Sequence, residues 1–108
     1  MITLETGDLI EGDATAASKV NYHISGSRYV SGGWKRFAES GQLAATKGTL
    51  VTCKAGETIE IDGIRCVNTD TSDRGINIYL KTDGTNSREI INDLTLVANG
   101  GSCNLTNG

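Results

Sequence analysis

The chain has 108 residues, 37% of them apolar and 5% aromatic, with 14 glycines and no proline. That length holds one domain with a modest core, which buries roughly two-thirds of the surface its unfolded chain exposes. The formal net charge is -3, and the ten basic residues are scattered from Lys19 to Arg88, with Lys35-Arg36 as the only adjacent pair. This distribution argues against nucleic acid as a partner, since a phosphate-binding surface clusters its cations. No apolar run approaches the ~20 residues a membrane helix needs, so no membrane partner is expected either. A core this lean favours further burial against a second chain, which makes self-association an expectation from composition alone.

Met1 to Asp13 places Ile2, Leu4, Leu9 and Ile10 among Glu5, Asp8, Glu11 and Asp13. It reads either as an edge strand or as an N-terminal arm that packs on a neighbour. Ser18 to Ser25 alternates, with Val20, Tyr22 and Ile24 on one face and Asn21 and His23 on the other, as a half-buried strand does. Gly26 to Gln42 is less regular and holds Tyr29, Trp34 and Phe37. Here Trp34 to Ser40 fits a helical turn, or a strand with Trp34 and Phe37 near opposite faces, and both readings stay open. Thr49 to Cys53 is a short strand.

Thr58 to Val67 is the longest strand candidate. Its inward set starts as Ile59 and Ile61 and resumes as Ile64 and Cys66, a slip of one residue at Asp62-Gly63. A β-bulge produces this slip by inserting one residue. A tight Asp-Gly turn between two short strands is the rival, and it would leave Ile59 and Ile61 on a very short arm. Gly75 to Thr82 alternates with Ile76, Ile78 and Leu80 inward. Asp83-Gly84 tolerates positive φ and returns the chain into Ser87 to Ile91 as a hairpin. Leu94 to Val97 reads as a further strand after Asn92-Asp93. Asn99-Gly100-Gly101 is a turn, and Ser102 to Leu105 can add a last edge strand. Short strands with turns between them predict an all-β fold. Residues 1–108 form one small antiparallel β-sandwich or jelly-roll-like domain, with 1–13 as arm or edge strand.

No catalytic, cofactor-binding or metal-ligating residue is assigned. His23 is the only histidine, and its place on the outer face of a strand suits a solvated side chain better than a general base. Cys53, Cys66 and Cys103 form no CxxC pair and match no zinc spacing, so reduced structural thiols are expected, with one disulfide and a leftover thiol as the alternative. Asp70 and Asp73 lie in a polar loop that lacks the spacing and the distal Glu of a calcium loop. Lys47-Gly48-Thr49 lacks the upstream glycine of a phosphate loop. Asn104-Leu105-Thr106 matches a glycosylation sequon. Tyr22, Tyr29, Trp34 and Phe37 could stack sugars, but so few aromatics are needed first in a core or an interface.

From Gly41 the order G-Q-L-A-A-T-K-G-T-L-V-T-C-K-A-G-E-T-I-E-I-D-G-I-R-C-V-N-T-D-T, then G-I-N-I-Y-L-K-T-D-G-T-N-S-R-E-I-I and L-T-L-V-A-N-G-G, resembles a β-sandwich module of structural proteins in tailed bacteriophages. The likeness lies in the Ala55-Gly56 turn, the strand ending in Asn68-Thr69, the Ile76 to Leu80 strand and the Ser87 to Ile90 strand. The chain departs from the module at Cys53-Lys54, where a proline commonly precedes Ala-Gly, and in its short last strand. The resemblance implies a non-enzymatic virion protein, made in the host cytoplasm: a capsid decoration or cement protein, or another head, neck or tail component. It implies as partners other copies of the chain, a trimer being favoured, and virion proteins such as the major capsid protein. A carbohydrate- or receptor-binding module using Tyr29 and Trp34 on exposed loops is the second expectation. No cofactor is implied.

Overall fold

A computed structural model describes residues Ile2–Thr106, and among them there are nine strands and no helix. In chain order these are β1 (Ile2–Leu4), β2 (Leu9–Ala14), β3 (Val20–Val30), β4 (Gly33–Gln42), β5 (Gly48–Thr52), β6 (Glu57–Asn68), β7 (Arg74–Lys81), β8 (Arg88–Leu96) and β9 (Ser102–Thr106). They form two antiparallel sheets. The five-stranded sheet runs β1-β6-β3-β4, with β9 also on β6, and the four-stranded sheet runs β5-β2-β7-β8. Both sheets contribute to one core, an arrangement compatible with a small β-sandwich.

Period-two alternation builds that core. From the five-stranded sheet come Leu4, Val20, Ile24, Phe37, Ile59, Ile61, Ile64 and Cys66. From the four-stranded sheet come Ile10, Ala14, Val51, Ile76, Ile78 and Leu96. The phase slip in β6 is a bulge: Ser25 pairs with Gly63 and Gly26 with Ile61, which leaves Asp62 unmatched. At this point β3 and β6 come so close that a Cβ on Gly26 would lie 1.9 Å from the Glu60 carbonyl oxygen. Gly26 is therefore the residue that allows the bulge to close.

Three segments differ from their sequence reading. Gly26 to Gln42 is neither irregular nor helical. It is the far half of β3, a two-residue turn and β4. The turn residues Ser31 and Gly32 have φ of 40° and 95°, the left-handed pair a tight hairpin requires. Phe37 faces the core and Trp34 faces outward, as the strand alternative requires. Ser87 to Ile91 and Leu94 to Val97 are not two strands, because β8 continues through Asn92-Asp93. Asp93 takes a positive φ there, and the register against β7 shifts between Ile76 and Ile78.

The N-terminal stretch is the third case. Ile2–Leu4 is an edge strand on β6, whereas Leu9–Ala14 lies inside the four-stranded sheet between β5 and β7. Leu4 and Ile10 are fully buried in the chain's own core, so among the described residues this stretch completes the chain's own sheets, the edge-strand alternative, and forms no projecting arm. The physical reason is direct. Leu9 to Gly12 pair with β5 on one side and β7 on the other, and leaving them out would expose the middle of a sheet.

Candidate interaction surface

The outer face of the five-stranded sheet is set by the β3–β4 register. Tyr29 stands opposite Trp34, Ser27 opposite Arg36, Ser25 opposite Ala38, His23 opposite Ser40 and Asn21 opposite Gln42. On the other side of β3 these rows continue with Thr58, Glu60, Gly63, Arg65 and Val67 of β6. The Ser25, Ala38 and Gly63 row carries small side chains and is low, Arg36, Glu60 and Arg65 stand in the rows beside it, and two aromatic rings stand at the hairpin end. At that end the Tyr29 and Trp34 rings meet edge to face, with centroids 5.4 Å apart and planes inclined at 63°. Trp34 is 53% exposed and Tyr29 38%, although a chain with five aromatic residues in all has few to leave in water. Both stand on strands rather than on the exposed loops expected for them.

At the opposite end of the same face, His23 Nδ1 lies 2.7 Å from Ser40 Oγ, and Gln42 Nε2 donates to Asn21 Oδ1 at 3.1 Å. A shallow depression of about 340 Å³ lies among Asn21, His23, Ser40, Arg65 and Val67. His23 and Ser40 are a hydroxyl–imidazole pair, but no carboxylate among the described residues bonds the ring to orient it as a triad's acid does. On the inner side of the hairpin end, Arg28 and Glu57 form an ion pair at 3.6 Å. They line a cleft of about 160 Å³ between the sheets, together with Phe37, Val51 and Ile59.

The outer face of the four-stranded sheet is bonded to itself. Asp13 accepts from Asn77 Nδ2 at 3.0 Å and from the Tyr79 hydroxyl at 2.8 Å, and the Ser87 hydroxyl donates to Glu11. The bond to the Asp13 carboxylate, with burial added, pushes the Tyr79 hydroxyl pKa up to about 12. Lys47 lies over the Tyr79 ring, 4.9 Å from its centroid, a cation–π contact instead of a phosphate-loop role.

The remaining candidate residues have structural partners. Arg74 Nε donates to Asp70 Oδ2 at 2.7 Å, and this bond, helped by the Thr71 amide, holds the Asp70 carboxyl below its usual range. Asp73 accepts from the Ala98 amide at 2.9 Å. Among the described residues no group of three or more His, Cys, Asp or Glu side chains is placed to hold a metal ion. Cys53 is buried, and its thiol donates to the carbonyls of Leu4 and Glu57 at 3.4 and 3.3 Å. Cys66 is buried in register with Ile64, and Cys103 is half-buried on β9. Asn104 of the sequon is an exposed β9 residue.

The residue that sequence reasoning missed is Asn68. It is fully buried, and its Nδ2 donates to the carbonyls of Ser72, Leu96 and Val97 while its Oδ1 accepts from the Asp70 amide. One amide thereby ties the end of β6 to the 69–73 loop and to the end of β8. Comparison with protein-family models, curated proteins and solved structures finds no match to this chain, so the reading of its surface rests on its own geometry.

Proposed function

We propose that the chain is a non-enzymatic virion structural protein, a capsid decoration or other accessory head or tail component of a tailed phage. In this reading the two sheets form a small β-sandwich or jelly-roll-like module that assembles as a homo-oligomer, a trimer being favoured, on proteins such as the major capsid protein. The observation that carries it is the set of large apolar side chains left in water by a chain with little apolar residue to spare. Tyr29, Trp34, Leu94, Val97 and Leu105 are all exposed. Surface of this kind is stabilised by being covered. Leu94 and Leu105 stand on β8 and β9, each at the edge of its sheet, where a neighbouring chain has access. The phage assignment itself is supported by the sequence resemblance over Gly41 to Gly101.

Light scattering at micromolar concentration tests self-association, and mass spectrometry of purified particles tests the virion role. Trimers, and a fixed copy number per particle, are expected. A monomer absent from particles overturns the proposal. A second reading, a carbohydrate- or receptor-binding module, is favoured by the exposure of Trp34 beside Tyr29 on an otherwise polar sheet face. Saturable quenching of Trp34 fluorescence by oligosaccharides, lost in Trp34→Ala, would select it.

A further inference from the structure

The three thiols are not equivalent. Cys53 lies across the fold, held by the carbonyls of Leu4 and Glu57, whereas Cys66 of β6 and Cys103 of β9 stand directly opposite each other in an antiparallel register. Directly opposed residues in such a pair have Cα atoms about 4.5 or 5.5 Å apart, depending on the ladder position. Both values fall within the roughly 4.4–6.8 Å that a disulfide spans. The two side chains also share a face, since Cys66 belongs to the buried core and Cys103 packs against it. All three cysteines are free thiols in the structure.

We propose that Cys66 and Cys103 are a redox-active dithiol that closes to an intramolecular disulfide, with a small-molecule disulfide such as oxidised glutathione as the oxidant. Cys103 is the more accessible of the two and opens the exchange. Its thiolate attacks one sulfur of the oxidant, the oxidant's S–S bond breaks, and one small thiol departs carrying a proton. Cys66 then releases its proton and attacks the Cys103 sulfur, which expels the second small thiol. Two protein thiols lose two electrons and two protons, and the oxidant becomes two thiols. The order of the steps follows from environment. Burial, with the neighbouring Cys103 added, pushes the Cys66 thiol pKa up to about 12, so it is a poor opening nucleophile and becomes competent when its partner's sulfur is already beside it.

The effect falls on β9. This strand pairs only with β6, and it carries the exposed Leu105 two residues beyond Cys103. A bond from residue 66 to residue 103 fastens β9 to its neighbour and encloses all of β7 and β8 in one covalent loop. The edge is then firmly held in the oxidised chain and freer to fray in the reduced one.

The test equilibrates the full chain in glutathione buffers of graded potential, followed by acid quench, alkylation and peptide mass spectrometry. The expected result is a product lighter by two hydrogens with Cys66 linked to Cys103, and Cys53 alkylated only after denaturation. Hydrogen exchange of Ser102 to Thr106 should slow on oxidation, and the thermal midpoint should rise. Cys53→Ser should leave all of this unchanged, and Cys103→Ser, at a half-exposed site, should abolish it. A stable glutathione adduct on Cys103 with Cys66 still free overturns the proposal. So does a link through Cys53, a link between two chains, or no oxidation at any potential.

Discussion

The outer faces of the two sheets are built from similar residues and do opposite things. On the four-stranded sheet Asp13, Asn77, Tyr79, Glu11 and Ser87 bond one another across three elements, so polar groups that could meet a partner are already engaged. On the five-stranded sheet the face carries His23–Ser40 and Asn21–Gln42 bonds at one end and the Tyr29–Trp34 pair at the other. A partner that covers the first must break hydrogen bonds, whereas one that covers the hairpin end of the second removes the Tyr29 and Trp34 rings from water. The contrast lies in how far each outer face satisfies its own polar groups, which the number of polar residues on it does not reveal.

Substitutions that separate the two sheets can break or sharpen this comparison. Gly26→Ala should have the largest effect, because the added methyl collides with the Glu60 backbone and the bulge cannot relax around it. A loss of about 4 kcal/mol or more in chemical denaturation is expected, at the exceptional end for one substitution. Ile78→Ala attacks the four-stranded sheet from its fully buried side and should cost about 2–5 kcal/mol through lost transfer energy and a cavity. Tyr79→Phe removes the hydroxyl from Asp13 alone and should cost about 1 kcal/mol, measurable as a shift in urea midpoint at constant slope.

The Asp83 loop should give a smaller effect, one that acid removes. Amides of Asn86 and Thr85, in that order, lower the Asp83 pKa from 3.8 to about 2 in the folded chain. A carboxyl depressed on folding contributes stability above its unfolded pKa and loses it as pH falls through the folded value. The difference in thermal midpoint between the native chain and Asp83→Ala should therefore be constant above about pH 4 and shrink from there towards pH 2. The smallest effect belongs to Trp34→Ala, which should change stability by no more than about 0.5 kcal/mol while it reduces self-association or particle binding. A large loss of stability there would mean that the aromatic pair holds the hairpin together and is no contact surface.

Legibility in the sequence followed the strength of alternation. β6 and β7 carry Ile59, Ile61, Ile64, Ile76 and Ile78 at inward positions, so their faces and the phase slip at Asp62 could be read from the order of residues alone. β4 could not. Phe37 is its one buried side chain, and a strand at a sheet edge with nine residues at least partly exposed has no period-two signal to show. The cue lay next to it, in Ser31-Gly32, whose conformation is the one tight hairpins need. β8 was divided because Asn92-Asp93 resembles a turn, and Asp93 does take the left-handed conformation while the strand continues past it. Asn68 and Asp13 were invisible as hubs. Their partners lie up to 29 and 66 residues away, and only the sheet registers bring them together.

One edge of β6 is shared by the first and last of the described strands. β9 pairs with Gly63 to Val67 and β1 with Ile59 to Ile61, both antiparallel to β6, so Thr106 runs toward Ile2 along a single line. The edge is in effect one strand interrupted at the point opposite Asp62. Among the described strands the connectivity is therefore nearly circular. Joined across that interruption and opened instead at the Asp83-Gly84 turn, the chain would retain every strand pairing, and the same atoms would be threaded in a different order.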